Sequence, residues 1–185
     1  MTLKVLAISG SLRKASFNTL ALRAAAELAP EGMEVALFEG MRDIPLYDDD
    51  IRAGAGYPAP VAAFRAAIKA ADAVVMATPE YNFSISGVLK NAIDWASRVP
   101  DQPFDGKPVA IMGAATGLYG TARAQYDLRK ILGSLNAHVL NKPEVLMGQA
   151  ASKFDAEGRL TDETARGLIA QQMVALRDWT LRLRG

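Results

Sequence analysis

Hydrophobic and polar positions fall into blocks whose period switches along the chain. Leu3–Ile8 is a short, almost continuous apolar run, the pattern of a buried strand. Thr19–Leu28 is Ala-rich with helical spacing, and Pro30-Glu31-Gly32 ends it. Met33–Phe38 alternates apolar with polar, as a strand nearer an edge does. Glu39–Tyr57 has loop character, with Pro45, an Asp48-Asp49-Asp50 run and Gly54-Ala-Gly56. The alternation then resumes. Val61–Ala71 predicts a helix, Ala73–Ala77 a dense apolar strand closed by Thr78-Pro79, and Gly87–Ser97 a helix ended before Pro100. Val109–Met112 predicts a fourth strand and Thr121–Leu135 a helix with a strong apolar stripe. His138–Leu140 and Val145–Met147 read as strand pieces around Lys142-Pro143, and Thr161–Arg182 as a long closing amphipathic helix.

Five strands alternate with five helices in this reading. Strands that are apolar on both faces must be covered on both faces, so the sheet is parallel with helices on either side. The predicted fold class is α/β, a flavodoxin-like doubly wound five-stranded parallel sheet of order 2-1-3-4-5. Residues 1–185 are read as a single domain, without linker, repeat or low-complexity tract. In such sheets ligands sit beyond the carboxyl ends of strands 1 and 3, where the winding reverses.

The chemistry is concentrated after strand 1. Ser9-Gly-Ser-Leu-Arg-Lys-Ala-Ser-Phe-Asn-Thr19 joins that strand to the first helix. A helix N-terminus offers unpaired N–H groups and partial positive charge. Ser9, Ser11, Ser16, Asn18 and Thr19 add side-chain hydrogen bonds, and Arg13 a charge-assisted one. A single N-cap needs one such residue; this density predicts an anion site. There is no G-x-G-x-x-G for a pyrophosphate and no G-x-x-x-x-G-K-[ST] for a triphosphate. A terminal phosphate monoester is the natural guest, and a mononucleotide such as FMN fits.

The loops after strands 3 and 4 supply candidate walls. In Thr78-Pro79-Glu80-Tyr81-Asn82-Phe83-Ser84, Pro79 fixes a turn that aims the N–H groups of Glu80 to Asn82 into the cleft, and Tyr81 covers a ring. In Gly113-Ala114-Ala115-Thr116-Gly117-Leu118-Tyr119-Gly120, three glycines let backbone approach a flat ligand. Lys90, Asn91 and Asp94 read as capping and salt-bridge residues, Trp95, Trp179 and His138 as packed, and Asp48 to Asp50 as facing water.

Composition removes other chemistries. The chain has 185 residues, half of them hydrophobic, with net charge +1, no cysteine and one histidine. That excludes thiolate catalysis, disulfides, cysteine-ligated metals and a multi-histidine site, and gives no reason to expect nucleic-acid binding. No apolar run reaches the ~20 residues of a membrane span, and no signal peptide is evident, so a cytoplasmic protein is expected.

Together, Gly10–Asn18, Pro79–Ser84 and Gly87–Trp95 resemble the NADPH-dependent FMN reductase family, with closest likeness to its quinone and chromate reductase branch. The likeness continues through Arg123-Ala-Gln-Tyr126 and Asn141–Glu144. It implies one non-covalent FMN per subunit, NADPH or NADH as co-substrate, a homodimer or homotetramer, and two-step transfer to quinones, azo compounds, chromate or flavins. No membrane partner is implied. By matching position, Ser11, Arg13, Ser16, Phe17 and Asn18 are implied at the phosphate. Pro79, Glu80, Tyr81 and Asn82 are implied beside the isoalloxazine, and Gly113, Ala114, Thr116 and Gly117 as the third wall. Arg123, Tyr126 and Glu144 are implied where subunits meet. No protein group is assigned as catalytic acid or base. Two departures stand out: Ser86 where proline is common, implying a looser loop, and Ala115 where serine is common, implying one hydrogen bond fewer near the flavin. The alternative is a flavodoxin-type electron carrier, but such proteins are typically acidic. A receiver domain needs an aspartate where Thr78-Pro79 stands, and a low-molecular-weight phosphatase needs a cysteine.

Overall fold

The computed structural model describes residues 2–185. Its parallel sheet is built from β1 (Leu3–Ser9), β2 (Met33–Leu37), β3 (Ala73–Ala77), β4 (Pro108–Ala114), β5 (His138–Val139) and β6 (Val145–Met147). The order is β2-β1-β3-β4-β5, with β6 also paired to β4. β5 runs beside Pro108 and Val109, and β6 beside Met112 to Ala114. The predicted fifth strand thus lies where expected but in two pieces. Between them the buried Gln172 side chain donates to the Ile111 carbonyl at 3.0 Å and the Pro143 carbonyl at 2.9 Å. This supplies the donor that a broken ladder leaves missing.

The helices are α1 (Phe17–Glu27), α2 (Asp49–Ala55), α3 (Ala59–Ala70), α4 (Gly87–Ala96), α5 (Ala122–Ser134) and α6 (Glu163–Leu183). Alternate strand residues feed two cores. Val5, Ala7, Val75, Ala110 and Met112 pack with α1 and α6, while Leu6, Ile8, Val74, Met76 and Ile111 pack with α3, α4 and α5. The first layer is rich in alanine on both sides of the contact, including Ala21, Ala24 and Ala25 of α1, which suits close helix-on-sheet packing.

The structure corrects one element. Glu39–Tyr57 is not simply a loop, because a 3-10 turn at Gly40–Asp43 and α2 lie within it, making six α-helices rather than five among the described residues. This helix buries no side chain, so no apolar periodicity announces it. Local groups hold it instead. Asp48 caps it through Asp50 N–H at 2.9 Å. Asp49 pairs with Arg52 and accepts from the Tyr47 hydroxyl, and these bonds lower the Asp49 carboxyl to about 2. Asp48 is therefore a cap and Asp49 an ion-pair partner on an exposed turn, with Asp50 in the helix's first turn. No group of three or more acidic or histidine residues suited to a metal occurs among the described residues.

Candidate active site

A cleft opens at the carboxyl ends of β1, β3 and β4, where strand order reverses. It is lined by Ser11, Arg13, Ser16, Phe17, Asn18, Pro79, Glu80, Tyr81, Ala114, Ala115 and Thr116. Ten of the thirteen residues expected at the site meet there. Asn82, Gly113 and Gly117 do not line it.

The anion end is built around the start of α1. Ser16 is the N-cap, in extended backbone, and accepts from Thr19 N–H at 3.4 Å. Its buried hydroxyl keeps a proton to donate. The Arg13 guanidinium is exposed, donates to the Ala15 carbonyl at 2.7 Å and lies 5.7 Å from the centre of the Phe17 ring. Phe17 stacks in turn on Phe154 at 5.4 Å. Ser9 and Thr19 do not face the cleft. Their hydroxyls bond each other at 2.8 Å and brace the loop from behind.

Asn18 has a different part from the direct side-chain ligand expected of it. Its amide is buried and bonded through both ends: Nδ2 donates to the Ala114 carbonyl at 3.0 Å, and Oδ1 accepts from the Ala114 N–H at 2.9 Å. The side chain is a clamp that fixes α1 to the end of β4. What Asn18 presents to a ligand is the backbone of the helix's first turn.

The loop after β3 is narrower in its offer than the sequence suggests. Tyr81 and Ser84 exchange two backbone hydrogen bonds at 3.0 Å, closing a turn in which Asn82 and Phe83 have φ of 50° and 67°. Tyr81 N–H is therefore spent. The N–H groups of Glu80 and Asn82 have no partner among the described residues. The Tyr81 ring is half exposed at the mouth of the cleft.

The glycines after β4 also act differently. A Cβ on Gly113 would lie 2.6 Å from the Thr78 carbonyl and overlap Thr121 Oγ1. Gly113 is bare so that neighbouring loops can close on it, not to admit a ligand. Gly117 alone among Gly113, Gly117 and Gly120 has open space at that position. Ala115 carries backbone bonds to Met147 and Ala150, which fasten this wall to the segment after β6.

Ser86 is not a point of looseness. It is buried, caps α4 by accepting from Leu89 N–H at 3.2 Å, and donates to the Gly10 carbonyl at 2.6 Å. It thus ties the start of α4 to the anion loop, a bond that proline lacks the group to make. Lys90 and Asp94 form an i,i+4 ion pair at 2.8 Å, and Asn91 holds Tyr47 N–H and the Pro45 carbonyl. Trp95 is fully buried. His138 pairs with Pro108 at the opposite end of β4, roughly 20 Å of strand from the cleft.

One connection has no local sequence signal. Glu80 is bonded to the N-terminus of α5, 43 residues away, and to Arg123. Arg123 in turn lies 3.9 Å from the centre of the Phe83 ring and 5.3 Å from that of Tyr119.

The donor set suits a phosphate ester joined to a flat ring: hydroxyls, a guanidinium and a helix N-terminus at one end, free N–H groups and a tyrosine at the other. Comparison with known proteins agrees. The family model for NADPH-dependent FMN reductase matches residues 3–152. The chain is 57% identical over 183 residues to an NAD(P)H-dependent FMN reductase of Pseudomonas aeruginosa, covering 99% of this chain and 98% of that one. It is 45% identical to a quinone reductase of Escherichia coli, covering 98% and 97%. Among solved structures it resembles an NAD(P)H:acceptor oxidoreductase flavoenzyme of Paracoccus denitrificans, with TM-score 0.87, 36% identity and 98% of each chain covered.

Proposed function

The chain belongs to the NADPH-dependent FMN reductase family, and from that premise we propose that it is an FMN-dependent NAD(P)H oxidoreductase for quinones and other electron-poor acceptors. The observation that carries this reading is the donor-lined cleft at the strand switch point, in a chain with no cysteine and its one histidine at the far end of the sheet. Such a site binds and orients; it holds no thiol or imidazole, and its one carboxylate is paired with Arg123. Bound FMN would supply the redox chemistry that these side chains lack, hydride uptake from NAD(P)H and transfer of two electrons to an acceptor.

The chain's own residues do the holding. Arg13, Ser11, the Ser16 hydroxyl and the first-turn N–H groups of α1 take the phosphate. The Glu80 N–H, with the neighbouring unpaired Asn82 N–H just outside the cleft lining, would serve the polar edge of the ring and favour the negative charge of its reduced form. Tyr81 and Thr116 line the ring's surroundings, and Asn18, Pro79, Gly113 and Ala114 hold these pieces in register. Residues 1–185 work as one domain in this reading, because both helical layers share one sheet.

Tyr81, Phe83, Leu118, Tyr119 and Tyr126 are exposed around this end of the molecule. We infer that they are covered in a homodimer or homotetramer, near Arg123 and Glu144. Among the described residues no helix is long and apolar enough to cross a membrane. A cytoplasmic location accords with the need for NAD(P)H. Small molecules, not nucleic acid, are the partners that a +1 chain with this cleft favours.

Because nucleotide and acceptor use the same open face in turn, oxidation of NAD(P)H with a benzoquinone should give parallel double-reciprocal lines. Intersecting lines would contradict the shared face. No acceptor-dependent turnover would favour an electron carrier of the flavodoxin type, against which the near-neutral charge speaks.

A further inference from the structure

Among the described residues lining the cleft, Glu80 is the only carboxylate. A free negative charge there would oppose a phosphate and a reduced flavin. The structure turns that charge away. Glu80 Oε2 accepts from the backbone N–H groups of Arg123 at 3.0 Å and Ala124 at 3.2 Å, and Oε1 meets the Arg123 guanidinium at 2.5 Å. Only 8% of the Glu80 side chain is exposed. Helix α5 has no cap of its own, since Thr121 at its N-cap position is left-handed, with φ 69°, and makes no side-chain capping bond. The positive end of α5 is served by a residue on another loop. Arg123 is further held against the rings of Phe83 and Tyr119. One carboxylate–guanidinium unit therefore joins the loop after β3 to the loop after β4 and to α5.

We infer that Glu80 is a positioning residue, whose carboxylate caps α5 across the cleft wall and so fixes the backbone of Pro79 to Asn82, while Arg123 keeps its charge from the ligand. The inference rests on FMN being the guest. It gives the two side chains opposite electrostatic effects. Loss of Arg123 exposes a negative charge beside the flavin and makes reduction harder. Neutralising Glu80 leaves the Arg123 cation uncompensated and makes reduction easier. A carboxylate that served only to hold the fold would not produce shifts of opposite sign.

The test compares native protein with Glu80→Gln, Glu80→Ala and Arg123→Ala. FMN affinity of the apoprotein, midpoint potential of the bound flavin and thermal midpoint are measured for each. Glu80→Ala should weaken FMN binding about five- to tenfold, the scale of a lost helix cap. Glu80→Gln keeps the size and one acceptor, so it should fold and recover most of that affinity. The midpoint potential should rise in Glu80→Gln and fall in Arg123→Ala. Potentials that move in the same direction, or unchanged affinity and potential beside a lowered thermal midpoint, would overturn the inference. Native protein that binds no FMN would instead overturn the parent reading, and this inference with it.

Discussion

Asn18→Leu should cost the protein about 2–4 kcal/mol of stability, because it leaves two buried backbone groups of Ala114 without partners. The side chains are similar in size, so the loss is one of hydrogen bonding rather than packing. For a domain of this length the thermal midpoint should fall by roughly 5–12 °C. FMN affinity should fall as well, since the amide is what registers the start of α1 against the wall at Ala114 and Thr116. Asn18→Asp keeps an acceptor for the Ala114 N–H but sets a second oxygen against the Ala114 carbonyl, so it should cost nearly as much. Thermal unfolding of the three proteins without added ligand measures the first effect. A midpoint for Asn18→Leu equal to the native one would show that the clamp contributes nothing.

Arg13→Ala should weaken FMN binding by about 10- to 100-fold, the scale of a charge-assisted hydrogen bond to a dianion. The folded protein should hardly notice, because Arg13 is exposed and bonds only the nearby Ala15 carbonyl and the Phe17 face. Riboflavin supplies the control, since it carries the same ring and no phosphate. Its affinity should be unchanged by the substitution. Arg13→Lys should restore part of the FMN affinity, as a point charge without the planar fork. Equal weakening of FMN and riboflavin would move Arg13 from the phosphate to the ring, and unchanged FMN affinity would move the phosphate elsewhere.

The sequence carried the sheet order because β1, β3 and β4 are buried on both faces and so appear as apolar runs. It pointed to the loop after β1 because a cluster of hydroxyls and an arginine at a strand-to-helix junction stands out, and that loop does line the cleft. What it did not carry is how those groups divide the work. Asn18 and Ser9 look the same as Ser16 in a string of polar residues. Only the structure separates the amide committed to Ala114 from the N-cap hydroxyl at the cleft. Gly113 reads as room for a ligand and proves to be room for Thr78 and Thr121. Helix α2 left no trace because it buries no side chain. The Glu80 cap joins positions 43 residues apart, and no local pattern encodes such a pair. Ser86, judged by family habit alone, suggested looseness; its two bonds make it a tie between α4 and the anion loop.

The cleft at the ends of β1, β3 and β4 should hold FMN. The most direct measurement is the visible spectrum of the purified protein, followed by identification of whatever denaturation releases. The expected result is a yellow protein, or a colourless one that turns yellow on adding FMN, with about one FMN released per chain and no FAD. A colourless protein that takes up no added FMN would contradict it.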